Sequence, residues 1–283
     1  IAVDIIYAQD PVSVGLPAIL AAKILRKRFF VKIVGDYAWE QGVQRFGVKE
    51  SLDDFVNKND YAWQVKALRY IERFVAKSAE RIIVPSQYLK RIVGNWGIDT
   101  EKIEVIYNAF NEPKVLESRE QLRKQMNFNF PSIVSVGRLV PWKGFPTLIE
   151  AVAILKTEFV NIKLIIIDDG PDRELLERKV KDLKLEDNVT FLGKMNQTEV
   201  YRYIKAADCF GLLSSYEGFS HLLLETLAIG TRVVTTRVGG NIEIIKNGNN
   251  GFLVEYGDAT ASAMAFKRVL ENKTLSQQLV KTG

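Results

Sequence analysis

Short runs of β-branched and other apolar residues alternate along the chain with longer segments in which apolar positions recur at helical spacing. In the N-terminal part the apolar runs predict strands and the periodic segments predict amphipathic helices. The strands are predicted at 3–8, 29–34, 80–84 and 102–106. The helices are predicted at 13–26, 61–78 and 86–95, the last with Ser86 as its N-cap.

The C-terminal part repeats this alternation more regularly. Its strands are predicted at 132–136, 163–167, 188–192, 208–213, 231–235 and 251–254. Its helices are predicted at 144–157, 172–184, 197–206, 220–229, 240–246 and 259–271. Such repeats favour parallel sheets with helices on both faces, which are doubly wound α/β domains.

A polar stretch and a short charged segment separate the two halves. We predict an N-terminal domain over 1–111, a linker over 112–130 and a C-terminal domain over 131–283. Two such domains are expected to face each other across a cleft. The carboxyl ends of their strands would line it, since ligands bind at that edge of these sheets.

Composition narrows the class of protein. The chain has 283 residues, 47% hydrophobic and 26% charged, which is typical of globular domains. Its single cysteine, Cys209, cannot form an internal disulfide, which favours a reducing compartment. A nucleophilic pair of Cys209 with the single histidine, His221, is less favoured than a buried cysteine, because Cys209 lies in an apolar run. One histidine also excludes a metal site built on two imidazoles.

The net charge of +5 is mildly basic. Part of the excess lies at one predicted helix-to-strand junction, in Lys23, Arg26, Lys27, Arg28 and Lys32. Cations at a helix C-terminus are usually solvated, and the alternative is a contact with anionic lipid or another polyanion. Nucleic acid is not favoured as a partner, because no basic stripe alternates with aromatic residues. No apolar run approaches the roughly 20 residues of a membrane-spanning helix.

Several catalytic motifs are absent. No G-x-G-x-x-G follows a predicted strand, and no G-x-x-x-x-G-K-[ST] occurs, so dinucleotide binding of the usual kind and P-loop chemistry are unsupported. The chain also lacks a G-x-S-x-G elbow, the protein-kinase motifs and a C-x-x-C pair.

One informative segment runs from Gly137 to Gly144, between a predicted strand and a predicted helix. It therefore lies at the carboxyl edge of the sheet, where Arg138 and Lys143 bring two cations to one rim. A guanidinium and an ammonium of this kind suit a diphosphate, whose negative charge must be held and stabilised as it grows. Two solvated surface cations are an equally good interpretation of the spacing alone.

A second informative segment runs from Tyr216 to Glu225 and follows another predicted strand. Ser220 is expected to cap the next helix, so the turn at 218–220 would offer backbone N–H groups to a phosphate. A fully helical segment would separate Glu217 from Glu225 by up to ~12 Å. Glycosidase carboxylates are about 5–9.5 Å apart, so a hydrolytic pair is poorly supported. Two carboxylates flanking a phosphate could instead bind hydroxyls at opposite ends of one ligand.

These segments resemble the retaining family-4 nucleotide-sugar glycosyltransferases. The similar stretches are Gly137–Gly144, Asp169–Pro171, Glu217–Glu225 and the glycine-containing tail 239–254, with looser matches at 84–86 and 105–108. The resemblance implies the GT-B fold, with two Rossmann-like domains facing across a cleft. It also implies transfer of a sugar from a nucleotide-diphosphate donor to an acceptor hydroxyl, with retention of the anomeric configuration.

The resemblance also implies roles for individual residues. Arg138 and Lys143 would hold the donor diphosphate and stabilise its charge, so that no metal or other cofactor is needed. Glu217 would contact the transferred sugar, and Glu225 the ribose hydroxyls. The other donor-binding positions implied are Gly137, Lys194, Met195, Gly218, Phe219, Ser220 and Leu222.

Two positions depart from the family pattern. Val34 stands where the first domain usually has a histidine, so the polar role would pass to Asp36, which completes the predicted catalytic set. An ordinary turn aspartate is nearly as good an interpretation of Asp36. Asp168 stands where a glycine commonly precedes Asp169, and its side chain would narrow or redirect the base pocket. His221 is assigned a packing role at the start of a helix.

The expected partners are a nucleotide-sugar donor, a glycan or lipid-linked acceptor, and the inner face of a membrane reached from the cytoplasm. The alternatives are a sugar-nucleotide epimerase or hydrolase on the same fold, and a degenerate nucleotide-binding protein. By resemblance the first domain should contain more strands than the four predicted here. The chain is therefore expected to hold a nearly complete donor half and an incomplete acceptor half, without the C-terminal helix that crosses back onto the first domain.

Overall fold

The computed structural model describes residues 3–282 and divides into two compact units, one up to Asn108 and the other from Ala109. The first unit contains one parallel sheet with strand order β1-β2-β3-β4. Its strands are β1 (Ile5–Ala8), β2 (Arg28–Lys32), β3 (Arg81–Val84) and β4 (Ile103–Val105). Its helices are α1 (Gly15–Leu25), α2 (Tyr37–Arg45), α3 (Leu52–Phe55), α4 (Trp63–Ser78) and α5 (Gln87–Gly94).

The second unit contains a larger parallel sheet with strand order β10-β9-β8-β5-β6-β7. Its strands are β5 (Ser132–Val136), β6 (Lys163–Ile167), β7 (Val189–Gly193), β8 (Cys209–Leu212), β9 (Arg232–Thr236) and β10 (Phe252–Val254). Its helices are α6 (Arg119–Gln125), α7 (Phe145–Leu155), α8 (Arg173–Asp182), α9 (Gln197–Ala206), α10 (His221–Ile229), α11 (Asn241–Ile244), α12 (Ala259–Glu271) and α13 (Lys273–Thr282).

The core of the second unit has two layers, one on each face of its sheet. Along β5, Ile133 packs into one apolar cluster and Val134 into the other, and along β6 Leu164 and Ile165 divide in the same way. Successive strand residues point to opposite faces, so a strand that is covered on both sides must be apolar throughout. This explains the continuous apolar runs and confirms the doubly wound prediction.

Helix boundaries follow from their caps. Ser86 accepts a hydrogen bond from the backbone N–H of Leu89, and Ser220 accepts one from the N–H of Leu223, so both predicted N-caps are confirmed. Gly230 ends α10 in the left-handed conformation, with φ of 83°. The predicted strands and helices all occur, with ends that differ by a few residues.

The sequence prediction missed four helices, α2, α3, α6 and α13, of which α6 lies in the segment taken as the linker. The first two lie in the 33–62 segment, where short amphipathic stretches contain Gly42 and several charged residues. Tertiary packing stabilises them, because Trp39 and Phe55 are almost completely buried. Within residues 3–282, no helix is long and apolar enough to cross a membrane.

Candidate functional site

The strand order of the second sheet reverses between β5 and β8, which are neighbours in the sheet. At such a reversal the connections leave toward opposite faces, and a crevice opens outside the carboxyl ends of the two strands. The loop after β5 contains the first informative segment, 137–144, and the loop after β8, 213–220, contains the start of the second, 216–225. The topology therefore brings together two motifs that are far apart in sequence.

The two loops contact each other closely at Gly144. This glycine has φ of +68°, and a Cβ atom there would lie 1.9 Å from the carbonyl oxygen of Leu213, so no other residue fits without a backbone shift. The N–H of Ser215 donates to the carbonyl oxygen of Trp142 at 2.7 Å and ties the same loops. As a result Lys143 is held beside the loop that follows β8.

Lys143 and Glu217 form an ion pair at the centre of this edge. Lys143 Nζ lies 2.6 Å from Glu217 Oε1, and Ser214 Oγ donates to the same oxygen at 2.7 Å. Glu217 is only 9% exposed, and a carboxylate shielded from water in this way needs a cationic or hydrogen-bonding partner. The pair places one cation where it can face both a carboxylate and an incoming anion.

Two glycines after β9 support the Glu217 loop from behind. A Cβ atom on Gly239 would lie 2.0 Å from the carbonyl oxygen of Glu217, and one on Gly240 would lie 2.3 Å from that of Gly218. The N–H of Gly240 donates to the Glu217 carbonyl oxygen at 2.8 Å. Both glycines lie in the tail that carries the family resemblance, but neither their supporting role nor Ser214 was predicted from the sequence. The glycine pair immediately after a strand was the available signal.

The N-terminus of α10 points to the same edge of the sheet. Ser220 caps this helix, His221 is exposed at its first position, and Leu222 is half-buried. The partial positive charge of a helix N-terminus favours an anion. Gly218 and Phe219 lie in the short segment between Glu217 and the cap.

Arg138 and Lys194 line a cavity of about 570 Å³ beside this edge. Both cations are exposed, and the remaining walls come from the segment Asp168–Pro171. Met195, next to Lys194, packs against the apolar core. The structure therefore brings Arg138 and Lys194 together, and it brings Lys143 and Glu217 together as a separate pair.

Asp168 occupies an unusual backbone conformation in this cavity. Its φ of +105° lies in a region that L-residues rarely adopt, and its Oδ1 accepts from the N–H of Asp169. A shift of register between β6 and β7 precedes it, and its own N–H donates to the carbonyl oxygen of Gly193. Asp168, which was expected to narrow or redirect the base pocket, lines this cavity. Its backbone conformation is strained.

Glu225 lies one helical turn beyond the start of α10 and lines another cavity, of about 690 Å³. Tyr201 on α9 contributes to the same wall, and burial together with a hydrogen bond to Glu225 raises the pKa of Tyr201 to about 12. Gln197 donates to the Tyr201 hydroxyl oxygen. Tyr201 was not singled out from the sequence, because a tyrosine on an amphipathic helix gives no local signal of its contact.

Asp36 lies in the first unit, at the start of α2, and is 1% exposed. Its Oδ1 accepts from the N–H of Trp39 at 2.8 Å, and its Oδ2 accepts from Nε1 of Trp96 at 3.2 Å. Burial raises the pKa of Asp36 and raises that of its neighbour Glu72 further. This arrangement matches the interpretation of Asp36 as a turn residue, and its catalytic role gains no support from it.

Cys209 is completely buried in β8, and burial raises the pKa of its thiol. His221 is exposed on α10, so the Cys209–His221 nucleophile is wrong and the core interpretation of the cysteine is confirmed. Within residues 3–282, no three His, Cys, Asp or Glu side chains form a group suited to a metal ion.

The chain belongs to the glycosyl transferases group 1 family, which matches residues 117–283. Residues 1–112 match glycosyltransferase family 4. Among solved structures, Anabaena Alr3699/HepE in complex with UDP-glucose is similar over 99% of this chain and 72% of its own. The TM-score is 0.82 and the sequence identity 22%. The similarity shows a common fold, the GT-B fold that the resemblance implied.

Two curated relatives are similar in sequence to part of this chain. The lipopolysaccharide core biosynthesis glycosyltransferase LpsE of Rhizobium meliloti is 36% identical over 153 residues, which is 54% of this chain and 43% of the relative. The N-acetylgalactosamine-N,N'-diacetylbacillosaminyl-diphospho-undecaprenol 4-alpha-N-acetylgalactosaminyltransferase of Campylobacter jejuni is 33% identical over 189 residues, 66% of this chain and 49% of the relative. The chain therefore spans less than half the length of these relatives.

Proposed function

We propose that this chain contributes the donor half of a glycosyltransferase that moves a sugar from a nucleoside diphosphate to an acceptor hydroxyl, with retention of the anomeric configuration. The observation that carries the proposal is the Lys143–Glu217 ion pair, at the strand reversal of the second sheet and beside the N-terminus of α10. Reversal points are the usual ligand sites of such sheets, and a helix N-terminus favours phosphate.

In this proposal Lys143 and Arg138 hold the diphosphate and stabilise the charge that grows on it as the glycosidic bond breaks. Positioned cations are suited to that task because they need no reorganisation as the charge develops. We propose that they make a metal ion and any other cofactor unnecessary. A diphosphate bound to Lys143 would share that cation with Glu217, which couples the leaving group to the carboxylate beside the sugar.

The remaining contacts of the donor are assigned by position. Glu217 contacts the sugar, and the segment from Gly218 to Ser220 presents backbone groups to sugar and phosphate, with Leu222 beside them. Glu225 binds the ribose hydroxyls, held in place by the hydroxyl of Tyr201. Gly137, Lys194 and Met195 lie toward the base.

The substrates are also proposals. HepE was solved with UDP-glucose, and the two curated relatives are named for a lipopolysaccharide core and for a diphospho-undecaprenol acceptor. These names support a nucleotide-sugar donor and a glycan or lipid-linked acceptor. We propose a peripheral contact with anionic lipid for the basic junction at 23–32. Two of its cations already have partners within the first unit, since Arg28 pairs with Glu80 and Lys32 donates to Asn108.

Incubation with a panel of nucleotide-sugars and candidate acceptors tests the reaction class. Release of nucleoside diphosphate that depends on an acceptor supports transfer. Release or epimerisation without acceptor would instead support the hydrolase or epimerase alternative, and a donor that binds but is never consumed would support a degenerate protein. Activity that survives extensive chelation supports the metal-independent mechanism, and loss restored by a divalent cation contradicts it.

The donor site is tested by Arg138→Ala in a nucleoside diphosphate titration. A charge-assisted contact is worth ~1.5–3 kcal/mol, so the dissociation constant should rise by about ten- to a hundredfold. The matched control is Arg178→Ala, an exposed arginine on α8 outside the cavity. Equal affinities for both variants would remove Arg138 from the site.

A further inference from the structure

Helix α4 in the first unit carries a line of cations. Lys66, Arg69, Arg73 and Lys77 follow one another at intervals of three or four residues, which places them along one side of the helix. The only acidic residue of α4, Glu72, is 1% exposed and accepts from the N–H of Ala38. The cationic side of α4 therefore has no carboxylate of its own.

These cations line a single groove. Its volume is about 530 Å³, within the range of about 300–1,000 Å³ of small-ligand sites. The four cations line it together with the rings of Tyr70 and Phe74, and no carboxylate lies in its walls. The ammonium of Lys23 on α1 lies 4.9 Å from the centre of the Phe74 ring, which brings a fifth cation near the same groove.

One of the four cations has an evident structural role. The Arg69 guanidinium donates to the carbonyl oxygens of Lys58 and Val56, and it stacks over the rings of Phe55 and Tyr61. These contacts explain why an arginine is 6% exposed there. They orient the cation without neutralising it, because carbonyl oxygens and rings have no net charge.

The other three cations lack a counter-ion. Within residues 3–282, none of Lys66, Arg73 and Lys77 forms an ion pair, although cations elsewhere in this unit, such as Arg28 and Lys58, do. Nε of Arg73 is buried and has no hydrogen-bond partner, which is a costly state for a charged group. Burial, and then repulsion from Arg73, lowers the pKa of Arg69, although the nearby acids Asp36 and Glu72 act in the opposite direction. The groove thus concentrates positive charge that its own walls do not balance.

We infer that this groove binds a ligand that carries phosphate groups. The line from Lys66 to Lys77 extends about 16 Å at 1.5 Å per residue, which is long enough for more than one phosphate. Arginine and lysine both bind phosphate, the former through two parallel hydrogen bonds and the latter as a point charge. The groove belongs to the first unit, whereas the Lys143–Glu217 pair belongs to the second.

The experiment uses Arg138→Ala as the background, so that phosphate binding at the proposed donor site is weakened in every sample. Within it, Lys66→Gln/Lys77→Gln is compared with Lys49→Gln/Lys102→Gln, which removes the same charge from the same unit at two other lysines without ion pairs. Neither member of the groove pair is buried, so this variant is expected to fold. Arg73→Gln is measured in parallel to test the half-buried arginine whose Nε has no hydrogen-bond partner.

Two probes distinguish the source of the phosphate. Inorganic pyrophosphate is titrated by calorimetry, and vesicles of phosphatidylcholine with and without phosphatidylglycerol are assayed by co-sedimentation. Loss of pyrophosphate affinity by about tenfold in the groove variants, with less than a twofold change in the control, supports a soluble phosphate ligand. The same selective loss for phosphatidylglycerol vesicles alone supports a lipid headgroup.

Binding of neither probe, or equal losses in the groove and control variants, overturns the inference. Neither result bears on the proposed transferase, because donor binding is measured separately with the unsubstituted α4. Conversely, a chain that binds no nucleotide-sugar leaves the groove experiment unaffected.

Discussion

Asp36 and Glu217 occupy similar positions in the chain and very different positions in the molecule. Each follows the carboxyl end of a parallel strand by a few residues, β2 for Asp36 and β8 for Glu217. Asp36 is buried against a second acid, Glu72, whereas Glu217 is buried against the ammonium of Lys143. Burial raises the pKa of both acids in the first pair. The two carboxyl groups therefore differ in the charge of their partner, an acid for Asp36 and a cation for Glu217.

The sheets explain the difference. β2 lies in a sheet whose described strands follow chain order, and Asp36 caps the start of α2. β8 lies at a reversal of strand order, where the loop carrying Glu217 stays at an accessible edge. A carboxylate can contact a ligand only where the topology leaves room for one.

The largest expected effect is that of Glu217→Gln. Removing the negative charge that Lys143 and Ser214 hold in place should lower turnover by a hundredfold or more, since a preorganised electrostatic contact is worth about 2.7–4 kcal/mol. Initial rates of nucleoside diphosphate release measure it. Glu186→Gln, at an exposed glutamate without an ion pair, is the control. If both variants retain full activity, the proposed contact of Glu217 with the sugar is wrong.

Gly240→Ala should displace the backbone of the loop that carries Glu217. The new Cβ atom would lie 2.3 Å from the carbonyl oxygen of Gly218, so the loop must move. We expect a loss of about 1–3 kcal/mol in the free energy of unfolding, measured in urea. Gly94→Ala on α5, whose new Cβ would meet an ordinary contact at 3.5 Å, should be neutral or slightly stabilising. A neutral Gly240→Ala would contradict the close approach.

Glu72→Gln tests the acid pair through pH. Because the native pKa values are raised, the folded state binds more protons than the unfolded state above the ordinary carboxyl pKa of about 4.3. The stabilisation is therefore complete below that value and is lost as pH rises through the native pKa, by at most about 1.4 kcal/mol per pH unit for one proton.

Glu72→Gln should flatten this dependence, as monitored by urea unfolding with the fluorescence of Trp39 and Trp96. The variant should then gain stability relative to the unsubstituted chain as pH rises. Parallel stability curves for the two proteins across this range would show that Glu72 does not retain its proton in the folded state.

Asp168→Gly should have the smallest effect and the opposite sign. Glycine adopts a φ of +105° without strain, so we expect stabilisation by about 1 kcal/mol in thermal or urea unfolding. Lys184→Gly, at a φ of +54° in the ordinary left-handed region, should gain less. Destabilisation by Asp168→Gly would mean that the contacts of the Asp168 carboxylate stabilise the fold by more than the strained backbone destabilises it.

Most of the fold could be predicted because the apolar pattern is strong wherever a strand is covered on both faces. The apolar pattern of β6 is continuous from Leu164 to Ile167, and the caps Ser86 and Ser220 have local signatures. Helices α2 and α3 could not be predicted so easily, since they depend on burial of Trp39 and Phe55 by distant residues. Ser214 and Tyr201 were missed for the same reason, because their partners are set by packing.

The sequence by itself determined the alternation of strands and helices, the two halves of the chain and the residues that carry charge at the strand ends. These features depend on local periodicity and on turn chemistry, both of which are set by residues close together in the sequence. Only the tertiary structure decided which charges meet. Strand order and the glycine contacts bring Lys143 to Glu217, and the packing of α2 on α4 brings Asp36 to Glu72. The surroundings of each carboxyl group then depend on its burial and on the charge of its partner.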